Sequence, residues 1–293
     1  MDNDSKKQIV GYVTHKVVDK HGRLLLAEGS ALTPEMVGKL KERGLDFRIS
    51  PEAFTGSSSR RPLVIKKRSP KIFKLPKRLD EKFEKLDRES IDHAAQYMNK
   101  ILDQVRENTF LNDSLKILGQ GHRATYSHSI NVSLIAVALA RKLELDTPAL
   151  QELAIGALYH DVGKILLPKT VLNDITGVCD GQTLIYQQHT VLGSDLLATD
   201  TLAPSISLVA LQHHEKYAGQ GYPSGLKDNA IHPHAAIVCV ANAFDRMTTA
   251  IYQKNVLTPE AAIGQIIAGA GVDYHPRVVD KFAELFVLRP TAG

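Results

Sequence analysis

The sequence predicts an α+β chain: an all-α helical bundle makes up most of it, and a small α/β module precedes the bundle. Three observations lead to this. From Leu111 onward almost every apolar segment has helical period and length, and none alternates with period two over a strand's length. Residues 1–50 instead hold short β-branched and aliphatic runs grouped around a turn signal. Between the two, residues 51–78 shift to Gly, Ser, Pro and basic residues, the composition of a linker.

Within the first module, Ile9 to Val18 and Leu24 to Ala27 read as strands joined through Asp19-Lys20-His21-Gly22, hence a hairpin. Thr33-Pro34-Glu35 then opens a helix as cap plus N1 proline. Met36, Val37 and Leu40 form its apolar side, and Gly44 stops it. Phe47-Arg48-Ile49 reads as a last strand. The module carries no cluster of catalytic residue types.

The linker is strongly basic. Arg60 to Arg78 holds nine Lys or Arg and no acidic residue, so with a net charge of +4 the rest of the chain sums to −5. A solvated tether and an electrostatic contact with an anionic surface are the two readings. Phe73 is the single aromatic in this run, which argues against a base-stacking platform.

The third unit, 79–293, opens with a connector over 79–107. There Leu79, Phe83, Leu86, Ala94, Met98, Ile101 and Val105 recur at helical spacing, predicting one long helix over Leu79 to Val105. Ser90-Ile91-Asp92 breaks a heptad seam, so packing on the bundle is preferred to a homodimer. Further helices are predicted over Ser127–Leu143, Pro148–His160, Gln182–Leu197, Pro204–His214, His234–Tyr252, Pro259–Ala268 and Pro276–Val287, separated by Gly-, Pro- and Asp-rich turns.

Composition bounds the setting. At 293 residues, 43% apolar and 23% charged, the chain can bury a full core, and disorder is not the default. Cys179 and Cys239 fit no zinc spacing and no disulfide framework, which favours a reducing compartment. The first residues lack a signal-peptide core, and no run reaches the ~20 apolar residues of a membrane span. A cytoplasmic protein is expected.

The chemistry centres on Ala157-Leu158-Tyr159-His160-Asp161-Val162-Gly163-Lys164. A buried helical face ends at an adjacent imidazole and carboxylate, which can share one cation while the second carboxylate oxygen serves another. If the helix continues, Lys164 falls on the face of His160 and sets an ammonium beside the metal. Eight of the twelve histidines lie between His122 and His234. They include His128 at the start of an apolar run, His189, and the His213-His214-Glu215 cluster, after which comes Gly219-Gln220-Gly221-Tyr222-Pro223-Ser224-Gly225-Leu226.

This order resembles the HD-GYP family of metal-dependent cyclic dinucleotide phosphodiesterases, from about Ser127 to Phe286. The resemblance implies an HD-type helical bundle. It implies metal ligation by His128, His160, Asp161, His189, His213 and His214, with Asp161 bridging two divalent ions, iron or manganese being favoured by the imidazole-rich set. Such a pair, about 3.5–4 Å apart, activates a hydroxide for in-line attack on phosphorus, and Lys164 stabilises the phosphoryl charge. Gly221, Tyr222 and Pro223 would border the pocket of a cyclic dinucleotide, most simply cyclic di-GMP.

Four positions depart from the family pattern. Asn242 stands where an aspartate ligand is usual, Ala124 where some members carry a glutamate, Ala218 where the loop has an aspartate, and Ile251 where an arginine grips phosphate. Lys254 matches the expected lysine, and Arg246 is an unexpected cation one turn after Asn242. Two alternatives therefore stay open: a degenerate member that binds metal, nucleotide or signalling proteins with little turnover, and another phosphohydrolase of the wider HD superfamily, including one for mixed cyclic dinucleotides.

Overall fold

The computed structural model describes residues 11–13, 17–18, 24–26, 31–32, 49–50, 81–167, 171–172, 180–250 and 256–286. Five short strands come first: β1 (Gly11–Val13), β2 (Val17–Val18), β3 (Leu24–Leu26), β4 (Ala31–Leu32) and β5 (Ile49–Ser50). β2 pairs antiparallel with β3, and β1 lies between β4 and β5. The helix expected from Thr33 and the basic linker lie outside the described residues.

Nine α-helices follow among the described residues: α1 (Arg88–Glu107), α2 (Thr109–Gly121), α3 (Arg123–Lys142), α4 (Thr147–Tyr159), α5 (Asp180–Leu197), α6 (Pro204–Gln212), α7 (Pro233–Met247), α8 (Pro259–Ala268) and α9 (Pro276–Ala283). Five of them, α4 and α6 to α9, have proline in the first turn, where its missing N–H costs no hydrogen bond. Asp146 and Thr258 cap α4 and α8 by accepting from Ala149 and Ala261 N–H.

The bundle is built around α3. Every residue from Ser129 to Ala140 is buried, so this helix is apolar or small on all sides and is surrounded by its neighbours. α1, α4 and α7 pack on it, and α6 joins α4, α5 and α7. Tyr159, fully buried, donates to the Leu111 carbonyl at 2.8 Å and ties the end of α4 to α2.

Several expectations are corrected. The stretch Leu79 to Val105 is not one helix. A 3₁₀ turn over Glu81–Lys85 precedes α1, and Asp87, accepting from Ser90 N–H, starts α1 afresh. α2 is a separate helix that the apolar spacing does not mark out. α3 begins at Arg123, so His128 sits in its second turn rather than at its start. α7 ends at Met247, where Thr248 donates its hydroxyl to the Phe244 carbonyl. The helix before the His-Asp pair ends at Tyr159, and Val162–Leu166 form a 3₁₀ turn.

Candidate metal centre

That last correction changes how Lys164 enters the site. In a 3₁₀ turn side chains three apart eclipse, so Lys164 faces Asp161 rather than His160. Its Nζ lies 2.5 Å from Asp161 Oδ2. Both residues are buried. Gly163 makes the turn feasible: a Cβ there would sit 2.0 Å from the His189 carbonyl oxygen and 2.5 Å from the Gly193 amide. The His-Asp turn is thereby pressed against the backbone of α5.

Four histidines surround Asp161. His189 Nε2 and His213 Nε2 lie 3.3 Å and 3.7 Å from Oδ1. His160 Nε2 and His128 Nε2 lie 3.4 Å and 3.7 Å from Oδ2. Each ring is fixed by its other nitrogen. His160, His189 and His213 donate Nδ1–H to the carbonyls of Ala157, Tyr186 and Ala210 at 2.8, 2.6 and 2.9 Å, and His128 donates to Asp245 Oδ2 at 2.6 Å. A ring that donates through Nδ1 while neutral keeps its lone pair on Nε2, where a cation would be bound.

Burial disfavours the charged form of several of these rings. It lowers His128, His213 and His214 below the ordinary histidine range and takes His189 down to about 3. Burial opposes ionisation of Asp161 too, but the Lys164 ammonium, with His160 and His189, outweighs it and holds the carboxyl well below the usual carboxylate range. Asp245 behaves alike, its burial overcome by the His128 hydrogen bond and Lys82.

Two groups of potential ligand atoms result, each within 4.8 Å of one another: Asp161, His189, His213 and His214, and His128, His160 and Asp161. His160 Nε2 and Asp161 Oδ1 are buried without a hydrogen bond. An imidazole nitrogen and a shared carboxylate oxygen buried without hydrogen bonds are what a divalent cation requires, so the residues fit a metal.

A family model described as HD domain matches residues 78–278. The chain belongs to the HD-domain family. Among its relatives, it is 31% identical over 185 residues to the cyclic di-GMP phosphodiesterase response regulator RpfG of Xanthomonas campestris pv. campestris, covering 62% of this chain and 48% of that one. It is 32% identical over 164 residues to a cyclic di-GMP phosphodiesterase of Thermotoga maritima, covering 55% and 44%. It is 28% identical over 165 residues to 3'3'-cGAMP-specific phosphodiesterase 2 of Vibrio cholerae serotype O1, covering 55% and 31%. The chain thus spans about half or less of the length of these curated relatives. The HD-GYP resemblance read from the motifs agrees with them.

In this HD domain the loop after the His-His pair lies against the centre. Tyr222 stacks on His214 with ring centroids 4.7 Å apart and planes 21° from parallel. The Tyr222–Pro223 peptide is cis, and Pro223 is exposed. A Cβ on Gly221 would fall 2.3 to 2.5 Å from Lys216 N, Glu215 Cα and His214 O, so only glycine allows the loop to cross the His-His-Glu turn so closely. Buried Glu215 accepts from Ser224 and Leu226 N–H at 2.7 and 3.0 Å and holds the loop in place.

Arg246 reaches the same neighbourhood, donating to the Tyr186 hydroxyl at 3.4 Å. Lys164 Nζ lies 5.1 Å from the centre of the Tyr186 ring, so two cations flank one phenol. Asn242 is buried on α7 one turn before Arg246. Lys254 and Ile251 lie outside the described residues. Sequence reasoning missed Asp245, Tyr186 and Lys82. Asp245 and Tyr186 carried a partial signal, a buried carboxylate in an apolar helix and an aromatic three residues before His189.

Among the described residues no helix is long and apolar enough to cross a membrane.

Proposed function

We propose that the chain is a metal-dependent phosphodiesterase that hydrolyses a cyclic dinucleotide, with cyclic di-GMP the first candidate. The observation that carries this is the convergence of four Nδ1-anchored histidines on one carboxylate, Asp161. His128, His160, His189, His213, His214 and Asp161 would hold two divalent ions, iron or manganese, with Asn242 the weaker neutral donor at the seventh position. When bound, such a pair polarises the phosphodiester and supplies an activated water for attack at phosphorus. Asp161 presents one oxygen to each group of ligands. Lys164, released from Asp161, places its ammonium where phosphoryl charge develops. Arg246, with Lys254, takes a second phosphate oxygen, and Tyr222 with Gly221 and Pro223 walls the pocket.

The substrate class rests on the names of the relatives, which include both cyclic di-GMP and 3'3'-cGAMP enzymes. Protein loaded anaerobically with iron or manganese and given each cyclic dinucleotide tests the reading. Conversion to linear dinucleotide or mononucleotide supports it, and absence of turnover with all of them overturns it.

A second reading, a binder with little turnover, is favoured by one observation: Lys164 is already engaged by Asp161; a neutral Asn242 in place of a carboxylate would add to it by weakening the hold on one ion. Tight cyclic dinucleotide binding without product would establish it. The division into 1–50, 51–78 and 79–293, a cytoplasmic setting, homodimer formation, signalling partners and contact of Arg60–Arg78 with an anionic surface belong to the same proposal. Deleting residues 60–78 should weaken salt-dependent retention on an anionic matrix if that contact exists.

A further inference from the structure

His128 is anchored differently from the other three histidines that face Asp161. They use main-chain carbonyls; His128 uses a carboxylate, Asp245. Asp245 in turn receives Lys82, whose ammonium hydrogen-bonds Asp245 Oδ1 and also donates to Thr249 Oγ1 at 2.8 Å. Lys82 and Asp245 are both buried, although 163 residues separate them in the chain. Lys82 belongs to the 3₁₀ turn Glu81–Lys85 that opens the helical domain.

We propose that Lys82 is a positioning residue for the metal centre: through Asp245 it fixes the orientation and ligand strength of His128, and so ties the domain's opening turn to one ion. This rests on the metal reading above. A carboxylate behind an imidazole raises its basicity as a ligand, and outer partners of this kind are typically worth 10–100-fold in metal affinity. A lysine on the far oxygen holds that carboxylate in place behind the ring and tempers how strongly it pulls on it. Removing the ammonium leaves Asp245 without its buried partner on Oδ1 and free to reorient, which changes how it holds His128. The ordinary alternative is that the pair only clips the opening turn to α7, in which case losing it would lower stability and leave the metal untouched.

Cobalt(II) titration of the metal-free full chain, followed by its visible absorption bands, distinguishes these, with thermal unfolding of each variant measured alongside. The wild-type chain should bind two ions. Lys82→Met should weaken one of them about 10–100-fold and shift its bands, leaving the other unchanged. Lys82→Arg should restore the wild-type isotherm. If Lys82→Met does not fold, Lys82→Gln, which still donates to Asp245 but carries no charge, should show the same selective loss. Wild-type isotherms and bands in a folded Lys82→Met or Lys82→Gln variant would overturn the proposal, as would equal weakening of both ions. A wild-type chain that takes up no cobalt would instead refute the metal reading on which it stands.

Discussion

His189 and Asp161 face each other across 3.3 Å, imidazole Nε2 to carboxylate Oδ1, with no proton between them to share. His189 spends its one N–H on the Tyr186 carbonyl. Two acceptors held this close in a buried place are unfavourable until a cation lies between them.

Asp161 also balances Lys164. Asp161→Asn removes the carboxylate and leaves a buried ammonium without its ion-pair partner, a change that costs about 3–5 kcal/mol when a buried pair is broken. The metal-free variant should show that loss in urea melts, and bound metal should no longer restore its stability. A melt matching the metal-free wild type would contradict the pairing.

Metal-free protein should lose stability as pH falls. His189 holds its proton only below about 3 in the folded chain, against an ordinary 6.5. Between those values the unfolded chain binds the proton and the folded chain does not. The stabilisation is therefore complete above about 6.5 and drains away as pH drops toward about 3, by at most about 1.4 kcal/mol per pH unit for each such group. His128, His213 and His214 are depressed in the same sense and steepen the slope. Urea midpoints that stay level from about pH 7 to about pH 4 would contradict it.

Two glycines should respond oppositely to alanine. In Gly163→Ala the new methyl meets main chain, which cannot rotate away, so the loss should reach about 3 kcal/mol or more. Gly264, exposed in α8, has nothing within 4 Å of its Cβ position. Gly264→Ala should raise stability by about 0.4–1 kcal/mol through the unfolded chain's reduced freedom. Thermal melts of the two variants against wild type read both signs.

Glu215→Gln should loosen the loop it holds. An amide offers one oxygen where the carboxylate offers two, so either Ser224 or Leu226 N–H would face an NH₂ group. We expect a loss of about 1–3 kcal/mol and faster hydrogen exchange at those two amides, with amides in α3 unchanged.

The candidate cluster was legible in the chain because its strongest parts are adjacent residues: His160 with Asp161, His213 with His214. A doublet needs no knowledge of the fold to be noticed. Asp245 was not legible as a partner of His128 because 117 residues separate them and only the packing of α7 on α3 brings them together. Lys164 shares the His160 face only if the α-helix continues past the His-Asp pair; the chain instead makes a 3₁₀ turn there, and the close approach that Gly163 allows is to the backbone of α5, a contact invisible locally. Leu79, Phe83 and Leu86 kept helical spacing into α1 and hid the break at Asp87, although aspartate is itself a preferred N-cap residue. The proline-led helices α6, α8 and α9 were found at their first residue, since proline marks a boundary by its own geometry.

The two oxygens of Asp161 are not equivalent. Oδ2 already carries Lys164 at 2.5 Å, while Oδ1 makes no hydrogen bond. A cation arriving beside His189 and His213 finds an oxygen with no hydrogen bond; one arriving beside His128 and His160 must share its oxygen with an ammonium, whose like charge opposes it. Loading should consequently be sequential, with the His189 side filled at lower free metal, and a half-charged centre should be an isolable species rather than a transient.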